Sequence, residues 1–250
     1  MTLFIDALDK NAFSKVDILL FALPGVGDVG KNAIELLNEA NKAVTVARYI
    51  HPGLTPLARL DGDGLLAPPH LAVNRVETEQ GKTILTITGR GQPSESYLQH
   101  DFSTELLKHV ADNNIGEIIV LAGLMSAPEV KEAFAVATSS HHRVNLEQRG
   151  VDVRRDQPSG GAIGMSALVA SLAPLFGLDS VCAMATTVGA SGDVHASLRL
   201  LEFVSKGWDL DVMLPEDATS ALLSKLNELA PSANTDHVRG LMEEPDAFYI

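Results

Sequence analysis

Residues 18–37 read ILLFALPGVGDVGKNAIELL, and this stretch decides the fold. An apolar run over residues 17–23 comes first, which is typical of a strand that is covered on both faces. The three glycines of a G-x-G-x-x-G pattern follow, and residues 28–41 then place apolar side chains at helical spacing. The stretch therefore predicts a buried strand, a tight turn and a helix, which is the repeating unit of an α/β protein.

The glycine pattern also raises the question of a nucleotide, because it stands where a dinucleotide-binding fingerprint would stand. That fingerprint needs an acidic side chain about 20 positions further on, at the end of the next strand, to hold the ribose. The next strand ends in VARYIHPG, residues 46–53, which contains Arg48 and His51 but no Asp or Glu. Arg48 could meet a 2′-phosphate, yet the acidic partner of the fingerprint is missing.

Two residues of the turn itself argue against a bound cofactor. Pro24 fixes the chain just before the first glycine, and Asp28 stands at the start of the helix, where it can cap the free N–H groups. A carboxylate at that point would repel a pyrophosphate. We therefore expect no cofactor, and we interpret the following residues as a structural turn whose glycines allow positive φ and close backbone approach: Pro24, Gly25, Gly27 and Gly30.

The rest of the chain repeats the alternation of strands and helices. Residues 66–89 differ, because two short strands around the turn EQGK predict an antiparallel hairpin. We expect a single α/β domain over residues 1–230, with a mostly parallel sheet flanked by helices on both faces, and a mobile C-terminal tail over residues 231–250. Further strands are predicted at residues 42–49, 82–89, 117–123 and 178–187, and further helices at residues 94–114, 193–206 and 216–229.

The composition is that of a globular protein with an acidic surface. Of the 250 residues, 32 are Asp or Glu and 19 are Lys or Arg, which gives a formal net charge of −13. Such a charge disfavours nucleic acid and anionic membrane surfaces as partners. The N-terminal residues lack the pattern of a signal peptide, and we expect a cytoplasmic protein.

One uncharged segment, residues 157–178 (QPSGGAIGMSALVASLAPLFGL), is long enough to span a bilayer. Its Gly, Ser and Pro residues and its low content of Leu, Ile and Val predict instead a buried helix of small residues packed closely on a sheet.

The single cysteine, Cys182, lies in the apolar run VCAMAT. We therefore expect a buried, unreactive thiol and no internal disulfide.

Metal-binding and catalytic patterns are weak. His141 and His142 are adjacent and so point to different faces of a regular element, and the chain has neither H-x-x-x-H nor paired cysteines. We expect no metal site and assign no catalytic residue. Capping explains Asp193, which falls at a predicted helix start. The alternative is a phosphorylase- or hydrolase-like ligand pocket at the carboxyl ends of the strands, formed by Arg90, Gly123, Ser191 and Asp193.

Five ordered blocks of sequence resemble the proteasome assembly chaperone 2 family. They are LPGVGDVGKNAIELL, ILTITGRGQPS, GEIIVLAGLMSAPEV, SGGAIGMSALVASLAPLFGL and ASGDVHASLRLLEFV, and the resemblance covers residues 17–214. It implies a single α/β domain that is related in fold to nucleoside phosphorylases and generally has no identified active site. In such a family the glycine turn belongs to the fold.

The last three residues, Phe248, Tyr249 and Ile250, fit the hydrophobic–Tyr–X ending with which several members of this family dock between α-subunits of the 20S proteasome. The resemblance thus implies a homo-oligomeric assembly chaperone or adaptor. A terminal carboxylate can pair with a partner Lys while aromatic side chains fill pockets. Three alternatives stay open: the last residues fold back on their own domain, the protein is an enzyme that acts on a nucleoside or other small molecule, or it is a structural oligomer without a partner.

Overall fold

The structure is a computed structural model that describes residues 3–215. The chain divides into two units, Met1–Leu214 and Pro215–Ile250, and every element below belongs to the first. The helix predicted over residues 216–229 and the tail predicted over residues 231–250 lie outside the described residues.

The first unit contains ten strands over the described residues. In chain order they are β1 (Phe4–Ala7), β2 (Ile18–Phe21), β3 (Val44–Ile50), β4 (Arg59–Leu60), β5 (Leu66–Ala67), β6 (Leu71–Glu77), β7 (Thr83–Gly89), β8 (Glu117–Met125), β9 (Ala133–Ala137) and β10 (Ser180–Thr187). Eight of them form one sheet with the order β1-β3-β6-β7-β2-β8-β10-β9, and the two short strands β4 and β5 form a separate hairpin.

The sheet is parallel at its centre and antiparallel at its sides. Strands β7, β2, β8 and β10 are parallel neighbours, whereas the β1–β3, β3–β6, β6–β7 and β9–β10 pairs are antiparallel. The expected α/β class is confirmed, and the expectation of a mostly parallel sheet holds for the four central strands. The predicted hairpin is the β6–β7 pair, whose connection over residues 78–82 is too short for a crossover and so requires antiparallel strands.

Helices cover both faces of the sheet, as predicted. They are α1 (Val29–Ala40), α2 (Ser96–Asp112), α3 (Ser140–Gln148), α4 (Met165–Leu172) and α5 (Val194–Trp208). Helices α1 and α5 pack on each other, and α2 packs on α4. The main apolar core joins α2 and α4 to one face of the sheet. The uncharged segment 157–178 supplies α4 and the 3-10 turn Ala173–Phe176, and no helix within residues 3–215 has the length and apolarity to cross a bilayer.

The burial of each strand explains whether it could be predicted from the sequence. Every residue of β2 and β10 is buried, in keeping with their continuous apolar runs. Strand β1 is a short edge strand with three exposed residues out of four, so it lacks a hydrophobic pattern. Strands β1, β4, β5 and β9 and helix α3 were not predicted, because each is short or largely polar.

Candidate functional site

The glycine turn lies directly on the neighbouring strand. A Cβ atom added to Gly30 would stand 2.1 Å from the carbonyl oxygen of Leu121, and one added to Gly123 would stand 2.2 Å from the carbonyl oxygen of Val26. Gly27 has φ of +63°, a conformation that favours glycine. Since β8 and the turn approach each other backbone to backbone, these positions leave no room for side chains.

Asp28 occupies the start of α1 but does not cap it. Its backbone is left-handed, with φ of 52°, and its side chain makes no cap hydrogen bond. The carboxylate instead accepts a hydrogen bond from Ser191 Oγ, at 2.7 Å from Oδ2. The expectation that Asp28 caps the free N–H groups of α1 is therefore wrong, because the carboxylate is held by the loop between β10 and α5.

That loop is bound to the glycine turn by its backbone. The N–H groups of Gly192 and Asp193 both donate to the carbonyl oxygen of Gly27, at 3.1 and 3.2 Å. Asp193 caps α5, as predicted, because its Oδ1 accepts from the N–H of Ala196 at 3.0 Å. Its Oδ2 accepts from Thr187 Oγ1 at 2.6 Å. The N–H groups of Gly192 and Asp193 thus hold the loop against the glycine turn.

The four residues predicted to form a ligand pocket have different surroundings. Ser191 and Asp193 lie in the loop after β10, and Gly123 of β8 lies under the turn, so the structure brings these three to one place. Arg90 follows β7 at the same edge of the sheet and is exposed. Ser191 donates to a carboxylate, and the two oxygens of Asp193 accept hydrogen bonds from Thr187 at the end of β10 and from Ala196 of α5. The arrangement stabilises the edge of the sheet and offers no activated nucleophile at Ser191.

The polar residues at the end of β3 also have partners within the protein. The guanidinium of Arg48 lies 3.4 Å from a carboxylate oxygen of Asp61 and 3.9 Å from one of Asp6. The buried His51 accepts from the N–H of Gly53 at Nδ1, so its Nε2 carries the proton and faces Asp101 at 3.3 Å. Arg48 therefore pairs with two carboxylates, whereas the dinucleotide-binding hypothesis would require it to bind a 2′-phosphate.

A partly buried ionic cluster that the sequence did not predict lies at the opposite end of β8, with His142 buried, Glu117 half-buried and Arg149 exposed. His142 of α3 places Nε2 at 2.9 Å from Glu117, and the indole N–H of Trp208 donates to the same carboxylate at 2.6 Å. The Nδ1 of His142 faces the carbonyl oxygen of Ser180 at 3.2 Å. Arg149 lies over the Trp208 ring and 3.8 Å from Glu117. The cluster ties α3 and α5 to the first residue of β8.

The charge of this cluster favours a protonated histidine. Burial lowers the pKa of His142, but the hydrogen bond and negative charge of Glu117, together with Asp179 and the Ser180 carbonyl, outweigh burial and hold the pKa above its usual value. His141 is exposed while His142 is buried, so the adjacent pair does point in different directions. The helix that carries them is mostly polar, and no pattern in the sequence singles out Glu117.

Cys182 matches its prediction. It is buried in β10, and burial raises the pKa of its thiol to about 12. A thiol with such a pKa is almost entirely protonated at neutral pH and is a poor nucleophile.

Over residues 3–215, no group of three or more His, Cys, Asp and Glu side chains has the geometry of a metal site.

The fold and this edge of the sheet define a class: an α/β protein in which a glycine-rich turn packs against the sheet and a capped helix start. The model of the PAC2 family matches residues 19–235, and the chain belongs to that family. The resemblance noted from the sequence is thereby confirmed. No curated protein matches the chain in sequence.

Solved structures agree with this assignment at the level of the fold. Pyrococcus furiosus PbaB, described as an archaeal proteasome activator, has a TM-score of 0.74 at 22% identity, over 97% of this chain and 99% of that chain. PbaA of the same organism, described as an archaeal homolog of proteasome-assembly chaperone, has a TM-score of 0.73 at 20% identity, over 97% of both chains. A proteasome-assembly chaperone homologue of Mycobacterium tuberculosis has a TM-score of 0.63 at 18% identity, over 88% of this chain and 97% of that chain.

Proposed function

We propose that this protein is a proteasome assembly chaperone or adaptor that binds α-subunits of a 20S proteasome through its C-terminus. The observation that carries the proposal is the ending Phe248-Tyr249-Ile250 on a chain of the PAC2 family. The descriptions of PbaB and PbaA as proteasome-related proteins support it, although identities of 22% and 20% establish only a shared fold. The three residues lie outside the described part of the chain.

The chemistry of the ending suits a groove between subunits. Tyr249 and Phe248 supply apolar rings, and the terminal carboxylate can pair with a lysine. Residues 231–250 span at most about 70 Å when fully extended, so they can reach a partner beyond the body of the protein. In a homo-oligomer, which we also propose, several such endings would bind one ring of subunits with increased avidity. The net charge of −13 favours a basic partner surface. We propose that the two proteins meet in the cytoplasm.

The test is binding of the full-length protein to a purified ring of proteasome α-subunits, measured by surface plasmon resonance. Tyr249→Ala and removal of the last three residues should each weaken binding by about tenfold or more, since buried tyrosines are frequent hot spots. Tyr97→Ala is the matched control, because Tyr97 is 69% exposed on α2 and belongs to the folded body. Equal affinities for the Tyr249→Ala variant and the unaltered protein would refute the role of the ending.

The enzyme alternative receives no support from the edge of the sheet. Ser191 and Asp193 have hydrogen-bond partners within the turn and the helix, which is the arrangement of structural residues. A phosphorylase or hydrolase would need these groups to converge on a substrate.

A further inference from the structure

A cavity of about 580 Å³ lies on the other face of the sheet from α1 and α5. Its floor includes Cys182 and Met184 of β10, and one wall is formed by Ala167 and Ala170 of α4. The start of α2 forms the opposite wall, and residues 158–164 close one side. This volume falls within the range of about 300–1,000 Å³ that is usual for small-molecule sites. The residues of the glycine turn do not line it.

The lining is apolar and uncharged. Among residues 3–215, those that line it include no Asp, Glu, Lys or Arg, and their titratable side chains are those of His100 and Cys182. The other polar side chains of the walls are largely occupied by the protein itself: Gln99 Nε2 donates to the Pro93 carbonyl at 2.6 Å, Thr138 Oγ1 to the Ser180 carbonyl at 2.7 Å, and Ser171 Oγ to the Ala167 carbonyl at 2.8 Å. Water needs two to four polar partners in such a space, so these walls favour an apolar occupant.

Small residues keep the cavity open. Gly161, Ala162, Gly164 and Ala167 all line it, and larger side chains at these positions would fill it. The start of α4 is fixed to the segment that follows β7, because the N–H of Met165 donates to Gln92 Oε1 at 2.8 Å. Gly164 has φ of +92°, and a Cβ there would stand 3.1 Å from the same oxygen. The small residues of segment 157–178 thus leave space between α2 and α4.

We propose that this cavity is a binding site for one small, uncharged and mainly apolar molecule, such as a medium-chain alcohol or a neutral aromatic compound. The apolar body of the ligand lies against Cys182 and Met184, and its polar end faces the exposed Ser96 and His100 at the mouth. A small molecule suits the site better than a protein segment because its floor is deep: Cys182 is only 8% exposed. This inference is independent of the proposed function, since it involves no residue of the C-terminal ending.

The first test is titration of the full-length protein with N-phenyl-1-naphthylamine, a neutral apolar fluorophore, followed by displacement with decanol. We expect saturable binding of one probe per chain. Ala167→Leu places a larger side chain in the cavity and should weaken binding by about tenfold or more. Ala40→Leu is the matched control: it makes the same change at the end of α1, on the opposite face, and should leave the affinity unchanged.

The second test uses Cys182, the single cysteine of the chain, as a reporter of occupancy. Because the thiol is buried and its raised pKa makes it a poor nucleophile, its reaction with N-ethylmaleimide is slow and is followed over hours at high reagent concentration. Decanol should slow this reaction in the unaltered protein by about fivefold or more, because a bound ligand covers the thiol. Sodium decanoate at the same concentration should protect far less, since no Lys or Arg stands among the described residues that line the site. This measurement needs no substitution and so remains decisive if Ala167→Leu unfolds the protein.

Either of two results would overturn the proposal. One is the absence of saturable probe binding together with the absence of protection of Cys182 by decanol. The other is equal probe affinity in the Ala167→Leu and Ala40→Leu variants. Neither measurement involves Tyr249, so an unchanged α-subunit affinity in the Tyr249→Ala variant would refute the proposed function and leave the result of both measurements as it is. Failure here and failure of the proposed function are therefore distinguishable.

Discussion

Gly25 and Gly30 belong to one motif but have different surroundings. The Cβ of an alanine at position 30 would meet the Leu121 carbonyl at 2.1 Å, and backbone cannot move aside cheaply. At position 25 the closest atom would be 3.8 Å away, and the φ of −163° is accessible to any residue. We expect Gly30→Ala to lower the free energy of unfolding by roughly 1–3 kcal/mol, as overpacking does, and Gly25→Ala to cost less than about 1 kcal/mol. Urea denaturation of both variants measures the difference.

The comparison of these two variants also separates a structural turn from a phosphate-binding one. A phosphate-binding turn needs its first glycine for the tight bend, so alanine at position 25 would be costly there as well. Similar losses of stability at Gly25 and Gly30 would therefore contradict the packing argument. The motif predicts a tight turn from the sequence, but the carbonyl that excludes a side chain at position 30 comes from β8, more than 90 residues further along the chain. Its identity could not be inferred from local pattern.

At the scale of elements, His142 links α3 to β8 and α5 through a hydrogen-bond arrangement that requires a proton on each ring nitrogen. Nδ1 faces the Ser180 carbonyl and Nε2 faces the Glu117 carboxylate, and both groups are acceptors. The folded state therefore binds the imidazolium form, in agreement with the raised pKa of His142. Stability from this cluster is fully present below the unfolded-state pKa of about 6.5 and is lost as the pH rises through the higher folded-state pKa.

We expect His142→Gln to lower the free energy of unfolding by about 1–3 kcal/mol near pH 6, and by less as the pH rises above that range. The measurement is urea denaturation of both proteins from pH 6 to pH 9. Burial lowers the pKa of His109, which gives the opposite dependence on pH, but His109 is present in both proteins and cancels in the difference. His141→Gln is the control, because it makes the same substitution at the neighbouring side chain, which is exposed and lies outside the cluster. A difference that is constant with pH would rule out the charged form of His142.

The helices and strands that could be predicted from the sequence are those whose buried residues recur periodically or form a continuous run. Helices α1 and α5 each bury one side, and both ends of α1 were predicted to within one residue. Strand β9 and helix α3 pack at the edge of the sheet and bury few residues, so their patterns resemble loops. The cavity depends on the distance between α2 and α4, which are more than 50 residues apart in the chain. The small residues of segment 157–178 predicted a helix packed closely on the sheet, but could not show that space would remain beside it.

At the scale of the whole molecule, the boundary of the folded unit is open to experiment. The sequence predicts that the domain extends to residue 230, whereas the first structural unit ends at Leu214. The buried core over residues 3–215 includes both faces of the sheet. Its C-terminal end is joined to α1, because Asn41 accepts from the N–H of Met213 at 2.9 Å and donates to the Met213 carbonyl at 2.9 Å. These contacts predict that the chain can end at Pro215 and still fold.

We therefore expect a protein of residues 1–215 to unfold cooperatively, with a free energy of unfolding within about 1 kcal/mol of the full-length value, as for changes outside the core. It should retain the probe site next to Cys182 and lose binding to proteasome α-subunits. A protein of residues 1–211 is the matched control: it lacks both hydrogen bonds to Met213 and should lose roughly a further 1–2 kcal/mol. The measurements are urea denaturation, N-phenyl-1-naphthylamine titration and surface plasmon resonance. If residues 1–215 fail to fold while residues 1–230 fold, the boundary read from the sequence is correct, because residues 216–230 then contribute to the stability of the sheet domain.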